Sequence, residues 1–136
     1  MKILILCTGN SCRSQMAEGI LKFINPEFEV YSAGTNPKDK INPNTMKVMK
    51  EIGIDISSHY PKNVDDFIHT PFDYVITVCN NARESCPVFY GKVGKMLHMG
   101  YDDPADATGS EEEILKVYRD VRDKILMDFQ AMEFPS

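Results

Sequence analysis

The stretch Lys2-Ile-Leu-Ile-Leu-Cys-Thr-Gly-Asn-Ser-Cys-Arg-Ser14 decides how this chain folds. Its apolar first half reads as a short strand buried on both faces, the kind found inside a parallel sheet. The run breaks at Thr8-Gly9-Asn10, and Met16, Ile20, Leu21 and Ile24 then recur on one helical face. Strand, tight polar loop and helix is the opening of a βαβ unit. Working outward, Phe28–Ser32 and Phe72–Val78 read as further strands, and Lys95–Met99 as a weaker one. Asn42 and Pro43 supply a cap and first-turn residue for a helix through Met46, Met49 and Ile52, stopped near Gly53. Ser110 and Glu113 form a capping box, followed by the apolar stripe Ile114, Tyr118, Val121, Ile125 and Phe129. Strands alternating with helices predict an α/β fold: a three-layer domain with a four-stranded parallel sheet, residues 1–136 forming a single domain.

With 136 residues, 43% of them hydrophobic, the chain is long enough to bury a real core. The apolar run near Met1 is too short for a secretory segment, and no stretch approaches the roughly 18 to 20 apolar residues of a membrane span, so a soluble cytoplasmic protein is expected. The net charge of −5 is concentrated after Tyr101, where ten acidic residues face four basic ones. This argues against nucleic acid as a partner. It leaves room for a small anion, which responds to local N–H groups and a nearby arginine. Four cysteines, Cys7, Cys12, Cys79 and Cys86, lack the C-x-x-C spacing of a zinc site, and His59, His69 and His98 are scattered. The three histidines are expected to be surface or packing residues.

Ligands of open α/β sheets gather beyond the carboxyl ends of the strands. Three polar segments follow strands directly: Cys7–Ser14, Cys79–Cys86 and Gly100–Ala105. In a parallel sheet they emerge at one edge, where Cys7, Cys79 and Asp103 can meet. The first is a coherent anion cradle. Backbone N–H groups can converge, Gly9 permits unusual backbone, and Arg13 offers a planar fork to two oxygens. The same positive field favours a Cys7 thiolate, to which Ser14 can add a hydrogen bond.

Residues 7–19, Cys-Thr-Gly-Asn-Ser-Cys-Arg-Ser-Gln-Met-Ala-Glu-Gly, resemble the phosphate-binding loop of low-molecular-weight tyrosine phosphatases, and more closely that of the arsenate reductases built on the same fold. The likeness continues through Tyr31–Gly34, Gly53–Ser57 and Asp102–Ala105. It implies Cys7 as nucleophile and Arg13 as oxyanion ligand, with Thr8, Gly9, Asn10, Ser11, Cys12 and Ser14 completing the cradle. It also implies Asp103, directly before Pro104, as general acid, with Asp102 the adjacent alternative. Some relatives hold potassium beside this loop. Asn10 and Ser32 match two of its ligands, while Tyr60 and Lys62 stand at the other two positions. No metal or cofactor is therefore expected, and the Lys62 ammonium is read as replacing the ion's charge.

A phosphatase needs one thiolate, whereas reducing arsenate takes two electrons and a second thiol. The segment Cys79-Asn-Asn-Ala-Arg-Glu-Ser-Cys86 resembles the paired-cysteine segment of thioredoxin-coupled reductases, and Ala105 and Asp106 stand where a tyrosine phosphatase would carry aromatic residues. The resemblance therefore implies thioredoxin-dependent reduction of arsenate to arsenite through Cys7, Cys79 and Cys86, with Cys12 a bystander. The expected partners are arsenate and thioredoxin or a similar thiol reductant, glutaredoxin included, with no nucleic acid and no membrane, acting on a monomer. A low-molecular-weight protein tyrosine phosphatase is the alternative, and a non-catalytic anion sensor a third class. Seven helical steps would separate Cys79 and Cys86 by about 10 Å between Cα atoms. A disulfide spans at most roughly 7 Å. Joining them thus requires the segment to unwind or loop, with Gly91 and Gly94 as candidate hinges.

Overall fold

The computed structural model describes residues 1–80 and 88–135. The described chain runs β1 (Lys2–Cys7), α1 (Arg13–Ile24), β2 (Glu29–Gly34), α2 (Pro43–Glu51), β3 (Phe72–Thr77), β4 (Val93–His98) and α3 (Glu111–Ala131). The strands form one sheet in the order β2-β1-β3-β4, every neighbouring pair parallel. The four-stranded parallel sheet expected from the alternation of elements is thus present. Cys86 and the proposed rearrangement of the segment up to it lie outside the described residues.

Strand alternation divides the core. Ile3, Ile5 and Cys7 of β1 join Tyr74 and Ile76 of β3 on the face covered by Met16, Ile20 and Leu21 of α1 and by Tyr118, Ile125 and Phe129 of α3. Leu4 and Leu6 point the other way, into a thinner layer with Val75, Phe72 and Phe89, closed by the 3-10 turn Val64–Phe67. β1 is buried throughout after Lys2. That burial on both faces explains its unbroken apolar sequence.

Local chemistry sets the helix ends. The Asn42 side chain accepts from Asn44 N at 2.9 Å with Pro43 at the first helical position, and Gly53 takes φ +81° just past the end of α2. The Ser110–Glu113 capping box is formed in both directions. Along α3, Leu115 and Arg122 join the buried stripe, while Ile114 is only partly buried. Arg122 can go inside because its Nη1 donates to Val48 O at 2.8 Å and to Glu51 Oε1 at 2.9 Å. A buried guanidinium with such partners avoids the penalty of an unmatched charge. Arg119 grips the same Glu51 with two nitrogens, tying α3 to α2.

β4 begins two residues earlier than its sequence pattern suggests, because Gly94 interrupts the side-chain alternation but not the pairing. A Cβ at Gly94 would stand 2.8 Å from Asp73 O, and one at Gly91 would meet the Phe89 ring at 2.5 Å. Both glycines are closely packed, and neither position has room for a side chain.

Strand pairing continues past the strands themselves. Val78 N donates to Leu6 O at 3.0 Å, Met99 N to Thr77 O at 2.8 Å, and Tyr101 N to Val78 O at 3.1 Å. These bonds stitch the segments after β1, β3 and β4 into one edge.

Candidate active site

Residues 8–12 turn from β1 into α1 beneath a cavity of about 360 Å³, lined by Cys7 through Arg13 on one side and by Asn36, Lys38, Asp103, Ala105 and Asp106 around the rest. The loop is shaped from outside. Asn36 N donates to Thr8 O at 3.0 Å, Lys38 N to Gly9 O at 2.9 Å, and Asn42 N to Ser11 O at 3.1 Å. In a planar trans peptide the N–H points opposite the C=O. The carbonyls of Thr8, Gly9 and Ser11 are thus taken up by the 36–42 segment, and the N–H groups of Gly9, Asn10 and Cys12 point the opposite way across their peptide planes. The flanking segment fixes the shape of the turn.

Asn10 is the hub. It is fully buried with φ +50°, a left-handed conformation that asparagine tolerates better than most residues. Its Nδ2 donates to Ser14 Oγ at 2.8 Å and Ser32 Oγ at 2.9 Å, and its Oδ1 accepts from Lys62 N at 2.9 Å. Gln15 Nε2 donates to the Asn10 carbonyl at 3.1 Å. Ser14 is thereby placed behind the loop rather than on the cavity wall. Gly34, at the end of β2, presses on the same turn: a Cβ there would stand 2.3 Å from Thr8 O.

Arg13 opens α1 and is almost wholly buried. Its Nη1 donates to Tyr101 O at 3.1 Å, and its Nη2 lies 3.5 Å from Asp103 Oδ2. Asp103 also caps the short turn that follows it, accepting from Ala105 N at 3.0 Å. The neighbouring Asp102 is directed elsewhere, accepting from Asn80 Nδ2 at 2.6 Å. Between the two candidate acids, only Asp103 lines the cavity.

Cys7 is buried at the end of β1, and Cys79 follows β3 on the neighbouring strand, also buried. Neither Cys7 nor Cys12 forms a disulfide, whereas Cys79 is disulfide-bonded. Burial pushes the Cys12 thiol up from its ordinary value, outweighing the nearby hydroxyls of Thr45, Ser11 and Tyr118, so it stays protonated.

Behind the loop lies a polar network of which sequence reading had named Asn10, Ser32 and Lys62 and missed Gln15, Glu18 and His59. Glu18 is buried beside three basic groups. Lys22 Nζ donates to its Oε2 at 2.6 Å, Lys62 Nζ stands 3.8 Å from Oε1, and His59 Nδ1 stands 3.6 Å from Oε2. Ser32 Oγ donates to Glu18 Oε1 at 2.6 Å, linking the network to Asn10. His59 Nδ1 is 3.1 Å from Gln15 Oε1. Burial depresses its pKa despite the opposing pull of Glu18, so the ring is neutral near pH 7 and donates to Gln15. These residues do not fit a bound potassium ion, since the Lys62 ammonium already faces Glu18 where a cation would compete with it. Glu18, Gln15 and His59 gave no signal in the sequence, because His59 stands 44 residues from Gln15 and Lys62 stands 52 from Asn10.

Residues 2–132 match the model of the low molecular weight phosphotyrosine protein phosphatase family. The arsenate reductase of Halalkalibacterium halodurans is 48% identical over 124 residues, covering 90% of this chain and 88% of the relative. The arsenate reductase of Bacillus subtilis (strain 168) is likewise 48% identical over 124 residues, with the same coverage. Among solved structures, an arsenate reductase in a phosphate-binding state superposes with a TM-score of 0.79 at 28% identity, covering 95% of this chain and 93% of that one. The thioredoxin-dependent arsenate reductase of Corynebacterium glutamicum gives a TM-score of 0.60 at 28% identity, covering 95% of this chain and 61% of that one. Matched over nearly its whole length and alike in fold, the chain belongs to the low-molecular-weight phosphotyrosine protein phosphatase family.

Proposed function

We propose that this protein reduces arsenate to arsenite at the Cys7 loop and passes the oxidation through Cys79 to Cys86, from which thioredoxin or a similar dithiol removes it. The observation that carries this reading is the pairing of β1 with β3, which sets Cys7 and Cys79 at the ends of adjacent strands on one sheet edge. A phosphatase has no use for that second thiol. The relatives named arsenate reductases support the same choice. So does the cavity wall, which offers no aromatic ring among the described residues to stack on a phosphotyrosine. No described helix is long and apolar enough to cross a membrane. A cysteine relay that an intracellular dithiol resets would work in the cytoplasm.

The electrons balance as follows. The Cys7 thiolate attacks arsenic, and an arsenate oxygen, protonated by Asp103, leaves as water. The Cys79 thiolate attacks Cys7 Sγ; the S–S bond forms, the S–As bond breaks, and its electron pair stays on arsenic as arsenite. Cys86 then attacks Cys79 Sγ, freeing Cys7 and leaving a Cys79–Cys86 disulfide for the external dithiol. Arg13 and the loop N–H groups hold the oxyanion throughout, Ser14 donates to the Cys7 sulfur, and the protonated Cys12 stays outside the relay. Lys62 supplies a built-in positive charge behind the loop.

The test couples thioredoxin, its reductase and NADPH to arsenate. Wild type is expected to consume NADPH continuously, Cys7→Ser not at all, and Cys86→Ser to release one arsenite per molecule and stop. Glutaredoxin in place of thioredoxin separates the two reductants. Phosphatase activity that survives Cys79→Ser and Cys86→Ser, with no arsenate turnover in wild type, would defeat the reading.

A further inference from the structure

We propose that Lys38 is a binding residue for the incoming oxyanion, a second cation over the cradle that sets affinity rather than the rate of chemistry. Three observations converge on it. Its backbone N–H is fastened to Gly9 O at 2.9 Å, so the residue is anchored to the loop itself. Its side-chain stem lies across Gly9: a Cβ at Gly9 would meet Lys38 Cγ at 3.2 Å, Cε at 3.4 Å and Cδ at 3.8 Å. The residue also lines the same cavity as Cys7, Arg13 and Asp103.

The charge pattern says why a second cation matters. Arg13 is engaged with Tyr101 O and Asp103. The opposite wall carries Asp103 and Asp106, on a chain of net charge −5. An oxyanion approaching this mouth meets two carboxylates and one committed guanidinium. Among the described residues the Lys38 ammonium has no ion-pair partner. It is exposed at the mouth and its stem is long, so it can swing onto the anion as it enters and release the product afterwards. The absent side chain at Gly9 gives that stem its path over the loop.

This inference rests on the reading of the Cys7 loop as the arsenate site, and the test separates the two. Steady-state arsenate reduction is measured for wild type, Lys38→Gln and Lys38→Arg at low and high ionic strength. In parallel, arsenate binding is titrated calorimetrically to Cys7→Ser and to Cys7→Ser with Lys38→Gln. At low salt Lys38→Gln should raise KM for arsenate by about threefold to tenfold while kcat stays within about twofold. Lys38→Arg should restore KM, and the gap should narrow at high salt, as screening requires. The calorimetric affinity should fall by a similar factor. Unchanged KM and unchanged affinity overturn the role of Lys38, as does a loss confined to kcat. A wild type without arsenate turnover overturns the reading of the site instead, and the calorimetric pair then still decides whether Lys38 holds the anion.

Discussion

Replacing Asn10 tests whether the cradle is shaped by its side chain or only by its backbone. In Asn10→Ala, Ser14 Oγ, Ser32 Oγ, Gln15 Nε2 and Lys62 N–H lose partners at 2.8, 2.9, 3.2 and 2.9 Å. The two serines and Gln15 are fully buried, so water cannot replace the bonds without entering the core. A buried polar group left unpaired costs about 1–3 kcal/mol; Ser32 keeps its bond to Glu18 and Gln15 Nε2 keeps the Asn10 and Tyr60 carbonyls, so the loss should come to about 3 kcal/mol, mostly from Ser14 and Lys62. Alanine at φ +50° adds about 1 kcal/mol, a cost that glycine avoids. Asn10→Ala should therefore lose about 4 kcal/mol and Asn10→Gly about 3 kcal/mol, a large share of the roughly 5–15 kcal/mol typical of a domain. For a chain of this size that amounts to a fall in Tm of about 10–15 °C. Urea unfolding of the reduced protein reads the free energies, and arsenate-dependent NADPH consumption reads the loop. Loosening the loop should cost at least about tenfold in kcat. If Asn10→Gly keeps wild-type stability while Asn10→Ala does not, the residue serves only its left-handed turn and the hub argument is wrong.

Two further outcomes follow from the same geometry. Gly34→Ala places a methyl 2.3 Å from the Thr8 carbonyl, a backbone atom that cannot swing aside. It should lower stability by about 1–3 kcal/mol and reduce arsenate reduction by at least about tenfold, both measurable on one purified variant; a fully active Gly34→Ala would show that the loop can yield at no cost. His59 is held below its ordinary pKa of 6.5, first by burial. Between the folded and unfolded values the unfolded chain binds more protons, so the histidine's contribution is present above pH 6.5 and is lost as pH falls below it. Tm measured from pH 8 to pH 5 should drop less steeply in His59→Gln than in wild type; equal slopes would mean that His59 does not titrate differently on folding.

Several parts of this molecule are legible residue by residue. The apolar run of β1, the Asn42–Pro43 cap and the Ser110–Glu113 capping box lie within a few positions of the atoms they satisfy, and each formed as expected. Cys7 and Arg13 stood out as a cysteine and an arginine between a strand and a helix, Asp103 through the family resemblance, and the structure gathers all three around one cavity. The parts that escaped are held by distant partners. Arg122 looks like a solvent-facing helix charge until Glu51 and Val48 of α2 are beside it. His59 looks uncommitted until Gln15 and Glu18 of α1 are in reach. The tight quarters at Gly91 and Gly94 show only once Phe89 and Asp73 are beside them.

By itself the sequence determined that Cys7, Arg13 and the turn between them stand together at the end of β1, because they are contiguous in the chain and follow an unbroken apolar strand. Only the tertiary structure decided how the loop is aimed. Its carbonyls are drawn outward by the 36–42 segment, its hub is secured by Lys62 and Ser32, and Lys38 is laid over Gly9. Hydrogen bonds between residues tens of positions apart depend on where the sheet and helices bring them, and nothing in the spacing along the chain encodes that distance.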